Sequence, residues 1–275
     1  MKKTGIAIFC VISLFVLGIA GTAIAYNDAF QHGLYQGDAA PTVDGTYDLG
    51  ADWAPSGTQN FGTNGIFRDF WVMEPNLLCL LIETADGTND AEDYWVICWD
   101  STESGGGTEP DGGPAPKTND YKLVVKGHGA SETVQWFKGT GTAWSTTPVT
   151  PAAGVLTNAQ QLAPYTPKIG TPHYVLEMSI SKLDDSLGTP LMGYTWATYI
   201  AYYDASTATL QSWPPAPASA NVPDSWGYIP YEMGANPTPD LPEGIGFVVM
   251  LAVSSVVAAG IVLLRKRTKI ANLNY

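Results

Sequence analysis

The stretch 76-NLLCLLIETADGTNDAEDYWVICWD-100 decides the fold. Residues 77–82 and 94–99 are apolar runs too short for ordinary helices, rich in β-branched and aromatic side chains. A polar, acidic segment holding Asp86-Gly87 parts them, and the pattern predicts two strands joined as a hairpin. Strand side chains alternate between faces, so Leu78, Leu80, Ile82, Trp95, Ile97 and Trp99 make one wholly apolar face, expected to be core. Symmetric pairing about the loop would set Glu83 opposite Tyr94, Leu81 opposite Val96 and Cys79 opposite Cys98.

Strand signals continue on both sides. Before the central stretch, 41-PTVDG-45 reads as a short strand ending in an Asp-Gly turn, and 67-FRDFWVM-73 sets Arg68 and Asp69 among large apolar neighbours. After it, residues 101–118 form a Gly/Pro-rich loop. Residues 120–126 and 132–138 then flank a turn as a second hairpin. Residues 143–167, rich in Thr, Pro and Ala, read as irregular. Residues 173–180 alternate, with Tyr174, Leu176, Met178 and Ile180 on one face and Glu177 on the other. Residues 181–187 suit one helical turn, 194–204 is the most aromatic strand and expected to be central, and 226–231 suits a short edge strand. Seven or eight strands with Gly- and Pro-rich loops predict an all-β fold, a single antiparallel β-sandwich of immunoglobulin or jelly-roll type over residues 41–232, preceded by an extended arm at 26–40.

The two ends of the chain are of another kind. Lys2-Lys3, the apolar run 6–20 and Ala23-Ile24-Ala25 have the three regions of a secretory signal peptide spanning 1–25. Residues 233–244 read as a Pro-rich spacer, and 245–264 is an uncharged apolar run of 20 residues, long enough for a transmembrane helix. Arg265-Lys266-Arg267 open the basic tail 265–275, which places the C-terminus in the cytoplasm and the sandwich outside, anchored to the cell membrane by a single pass. The segment Leu241-Pro242-Glu243-Gly244, the span and its basic tail also resemble the tripartite sorting signals of some prokaryotic surface proteins.

Charge supports an exported surface and narrows the partners. Of 13 basic residues six lie in the two ends, leaving seven against 26 acidic residues, a net charge of −19. A surface of that sign repels nucleic acid, so the expected partners are the membrane, through the C-terminal helix, and a polysaccharide or surface glycan.

In order, Val43-Asp44-Gly45 with Trp53 after it, the strand NLLCLLIET and its acidic loop, the strand ending at Asp100, DYKLVVKG and YVLEMSISKL resemble the family 9 carbohydrate-binding modules and the related DOMON-like sandwiches. The resemblance covers roughly residues 41–204 and implies sugar binding, with no binding residue transferred by motif. The DOMON side includes haem binders, but His32, His128 and His173 and the methionines have no spacing that pairs them around an iron.

Candidate sites follow from residue chemistry. Trp53, Trp136, Trp144, Trp213 and Trp226 fall at strand ends or in loops, where an exposed indole beside a carboxylate or amide suits a sugar ring; packing over the sandwich edge is the competing use. Asp86, Asn89, Asp90, Glu92 and Asp93, with Asp100 near the strand end and Asn119 and Asp120 opening the next strand, offer the oxygen ligands of a calcium site; a solvated acidic loop is the alternative. Cys79 and Cys98 either close a disulfide or remain buried thiols. No His-Glu-x-x-His, Gly-x-Ser-x-Gly or phosphate-loop motif is present, so a non-enzymatic role is expected, either glycan binding or a structural, adhesive one.

Overall fold

The computed structural model describes residues 26–48, 52–53, 56–100, 110–151, 153–181 and 195–230. The signal peptide, the spacer, the apolar run 245–264 and its tail lie outside the described residues, as does the helical turn expected after residue 181. Among the described residues no helix is long and apolar enough to cross a membrane.

The described residues form thirteen strands in order: β1 (Asn27–Gln31), β2 (Tyr35–Gly37), β3 (Gly57–Phe61), β4 (Gly65–Val72), β5 (Leu77–Thr84), β6 (Tyr94–Asp100), β7 (Asp120–Lys126), β8 (Thr133–Lys138), β9 (Leu156–Ala163), β10 (His173–Ser181), β11 (Trp196–Asp204), β12 (Thr209–Trp213) and β13 (Gly227–Ile229). Seven make a first sheet, in the order β1-β13-β11-β6-β7-β8 with β12 beside β11. Six make a second, in the order β2-β4-β5-β10-β9 with β3 beside β4.

β5 and β6 are therefore not a hairpin. β5 pairs with β4 and β10, whereas β6 pairs with β7 and β11, and the acidic segment crosses from one sheet to the other. The face assignment holds: Leu78, Leu80 and Ile82 from one sheet meet Trp95, Ile97 and Trp99 from the other in a single core cluster. Two apolar faces turned toward each other are what a sandwich buries, and each fully buried large side chain contributes roughly 1.5–3 kcal/mol. The crossing also corrects the disulfide reading. Cys79 and Cys98 point out of opposite sheets into separate clusters, and both are buried thiols outside any disulfide.

The arm is corrected as well. Residues 26–40 form β1, parallel to β13 in the first sheet, and β2, parallel to β4 in the second, so the N-terminal segment joins both layers. The segment 143–167 contains β9, a polar edge strand that pairs with β10 over its whole length. The 120–138 hairpin forms as β7 and β8, and the aromatic strand β11 is central, flanked by β6, β12 and β13.

Both outer faces are partly roofed. Over the second sheet, Arg68 and Glu83 are fully buried 3.5 Å apart, and Glu83 accepts a hydrogen bond from Thr166 on the β9–β10 connection. Over the first sheet, Trp226, Ala218 and Ala220 cover Cys98, Ala197 and Tyr199. The far end of that face, at Tyr94, Lys126 and Tyr203, stays half-exposed.

Candidate functional site

The five tryptophans are built into the protein rather than held out from it. Trp53 is fully buried and donates its indole N–H to Glu177 at 2.8 Å. Trp136 turns inward, edge-to-face on Trp99, and Trp213 packs against Phe67 and His32. Trp226 is fully buried, donates to the Ser219 carbonyl and carries Trp144 in a stack at 6.2 Å. Trp144 alone of the five is half-buried, its N–H given to the Ala220 carbonyl.

The acidic residues divide between the two ends of β6, about 23 Å apart at the rise of a strand. At one end Asp86, Asp93 and His128 meet, all buried. Asp86 accepts from the Thr88 N–H and hydroxyl and from the Tyr202 hydroxyl at 2.7 Å. Asp93 accepts from the Ala205 N–H and faces His128 Nε2 at 3.0 Å, while His128 stacks on Tyr174 and meets Gln160 through Nδ1. Burial raises the Asp93 carboxyl and pushes the Tyr202 phenol well above its ordinary range. This group completes its own hydrogen bonds. Asn89 and Glu92 are exposed and Asp90 half-buried, so they do not join it.

At the other end, Asp100 and Asp120 are directly opposite in the β6–β7 ladder, and Asp111 joins them from the loop. Like charges so placed repel. Asp100 accepts from the Gly112 N–H at 2.7 Å, and Asp120 Oδ2 from the Lys117 N–H at 2.7 Å. Asp120 Oδ1, fully buried, has no hydrogen-bond partner among the described residues. Burial pushes the Asp100 carboxyl up to about 7; burial and then the Asp100 charge push Asp120 up to about 8. An orphaned carboxylate oxygen beside two further carboxylates has the donor chemistry of a hard divalent cation. Sequence reasoning named Asp100 and Asp120 here but not Asp111, which lies within the Gly/Pro-rich loop 101–118.

Two openings reach the surface near these residues. At the sandwich end a polar cleft of about 290 Å³ lies over Tyr202 and Asp86, walled by Asn64, Asp204, Thr207 and Gln211. On the outer face of the first sheet an open groove of about 640 Å³ runs past Glu92, Tyr94, Val96, Lys122, Val124, Lys126, Tyr203, Ala205 and Ala220. Alternation builds that groove: Tyr121, Leu123 and Val125 of β7 go to the core, which leaves Lys122, Val124 and Lys126 outside. Tyr94 and Tyr203 are cross-strand partners whose rings stack at 5.0 Å. Lys126 meets Glu92 at 2.7 Å, and Lys122 rests over Phe137 and Trp144. The alternation of 120-DYKLVVK-126 was the one sequence signal for this surface.

No family profile and no curated protein matches the chain. Among solved structures it is similar to a family 9 carbohydrate-binding module from Caldicellulosiruptor kristjanssonii in complex with glucose, at 13% identity and a TM-score of 0.48, over 77% of this chain and 100% of that one. It is also similar to a putative carbohydrate-binding protein from Bacteroides uniformis, at 12% identity and a TM-score of 0.41, over 74% of this chain and 99% of that one.

Proposed function

We propose that the chain is a non-catalytic glycan-binding module, exported and held at the membrane by its C-terminal apolar run, with its ligand laid along the outer face of the first sheet. The observation that carries this is the groove's composition: the half-exposed Tyr94–Tyr203 pair beside the Glu92–Lys126 pair. Sugar rings offer C–H faces to aromatic side chains, and their hydroxyls need a carboxylate to accept and an ammonium to donate. An exposed ion pair contributes only about 0–1 kcal/mol, so exchanging its bond for sugar hydroxyls costs little. Export and anchoring rest on the apolar runs 6–20 and 245–264 with their basic flanks.

The test is a screen of soluble and insoluble polysaccharides by pull-down and calorimetry. A Tyr94→Ala, Tyr203→Ala double variant that stays folded is expected to weaken binding at least tenfold. Unchanged binding in that variant would move the site elsewhere, and no binding to any polysaccharide would favour an adhesive or structural role.

Calcium belongs to the same reading as a structural ion. Asp100, Asp111 and Asp120 would hold it, with the fully buried Asp120 Oδ1 as the donor that lacks any other use. There it would fasten the 110–119 loop to the ends of β6 and β7.

A further inference from the structure

A neutral sugar would leave one group in the outer-face groove without a use. Lys122 is half-buried, with its ammonium 4.7 Å from the centre of the Phe137 ring and 5.0 Å from that of Trp144. Among the described residues it meets two ring faces and no carboxylate, in a protein with 26 acidic residues against 13 basic. Its strand neighbour Lys126 is committed to Glu92, and Asp120 is buried with its carboxylate grouped with those of Asp100 and Asp111. Ring faces attract a cation but give its three N–H donors no oxygen acceptor, and partial desolvation strengthens the pull on any anion that reaches it. Burial lowers the Lys122 pKa, as expected of an ammonium short of counter-charge. The groove thus sets two ammonium groups against the single carboxylate of Glu92, the reverse of the protein's overall balance.

Resting on the glycan-binding reading above, we infer that the groove selects an acidic glycan, whose uronate carboxylate pairs with Lys122 while the chain runs on toward Tyr94 and Tyr203. Lys122 and Lys126 lie four residues apart on one face, about 13 Å at the strand rise, a span that a few linked sugar rings cover.

The experiment compares polygalacturonate with the same polymer after its carboxyl groups are reduced to hydroxymethyls, using the full chain in detergent at fixed ionic strength. Dextran sulfate, which bears sulfate and no carboxylate, is a separate arm that distinguishes the two anions. The acidic polymer is expected to bind at least tenfold tighter than its reduced form, a ratio that falls toward one in Lys122→Met and is kept in Lys122→Arg. Melting temperatures of both variants establish that they fold. Equal binding of the two polymers, or a ratio that survives Lys122→Met, overturns the uronate assignment and leaves glycan binding standing. Tighter binding of dextran sulfate than of polygalacturonate also overturns it, in favour of sulfate. Binding of no polymer at all removes both readings.

Discussion

Glu177 on β10 accepts the indole N–H of Trp53, 124 positions away in the chain, at 2.8 Å, while its other oxygen accepts the backbone N–H groups of Asp44 and Gly45. One buried carboxylate thereby fastens the N-terminal Asp-Gly turn and its tryptophan onto the outer face of the second sheet. The turn lies so close to β9 that a Cβ on Gly45, whose φ is +79°, would come within 2.7 Å of the Gln160 carbonyl carbon. The segment Val43-Asp44-Gly45, the tryptophan after it and the glutamate in YVLEMSI, quoted separately from the sequence, are one interaction.

Removing that carboxylate should be costly. Glu177→Ala leaves three N–H donors without their acceptor, and a loss of about 2–4 kcal/mol is expected in urea unfolding. Trp53→Phe should lose less, since two donors remain. A Glu177→Ala loss below about 0.5 kcal/mol would refute the fastening role.

Calcium is expected to stabilise the chelator-treated chain. At 100 times its dissociation constant an ion that binds only the folded state adds about 2.7 kcal/mol, which for a domain of this size raises Tm by about 5–10 °C. Asp120→Asn should abolish the rise. An equal rise in that variant would place the ion elsewhere.

The same aspartates set a pH dependence in the chelated chain. Their folded pKa values, about 7 for Asp100 and about 8 for Asp120, lie above the ordinary carboxylate value, so the folded chain holds protons that the unfolded chain has released. Their contribution is complete below about pH 4 and is lost as pH rises through 7 to 8. Thermal melts should show Tm falling from pH 5 to pH 8.5, with a shallower fall in Asp120→Asn and after calcium is added. A chelated Tm that is no lower at pH 8.5 than in the variant would contradict the assignment.

Cys79 and Cys98 should remain reduced under oxidising conditions. Peptide mapping without reductant should give no peptide linking the two, and both thiols should react with iodoacetamide once the chain is denatured, because in the fold each is sealed beneath a different face. A linked peptide from natively folded protein would contradict the crossing of β5 and β6 between sheets.

The faces of the strands were legible in the sequence, because period-two alternation determines what each strand buries: all six residues assigned inward from residues 76–100 are in the core. Their partners were not legible. A hairpin and a crossing between sheets demand the same apolar faces and the same polar connection, and only the competing claims of β4, β10, β7 and β11 decide between them. β9 escaped because LTNAQQLA lies at an edge and buries little. The tryptophans misled for a related reason: position near a strand end does not say whether a ring turns into the core between the sheets, as Trp136 and Trp213 do, or is buried on an outer face, as Trp53 and Trp226 are. The acidic residues were recognised as ligands but grouped by nearness in sequence, whereas β6 carries Asp93 and Asp100 to opposite ends.

β1 runs beside β13, with the Asn27 N–H bonded to the Trp226 carbonyl and the His32 N–H to that of Tyr228. During synthesis β1 has no partner until β13 is made. The seam between them closes only when the chain is complete, which makes it the slow, long-range step of assembly. Until then β1 and the β11 edge that β13 covers stay open, so a chain halted before residue 227 would carry unpaired strands in its first sheet.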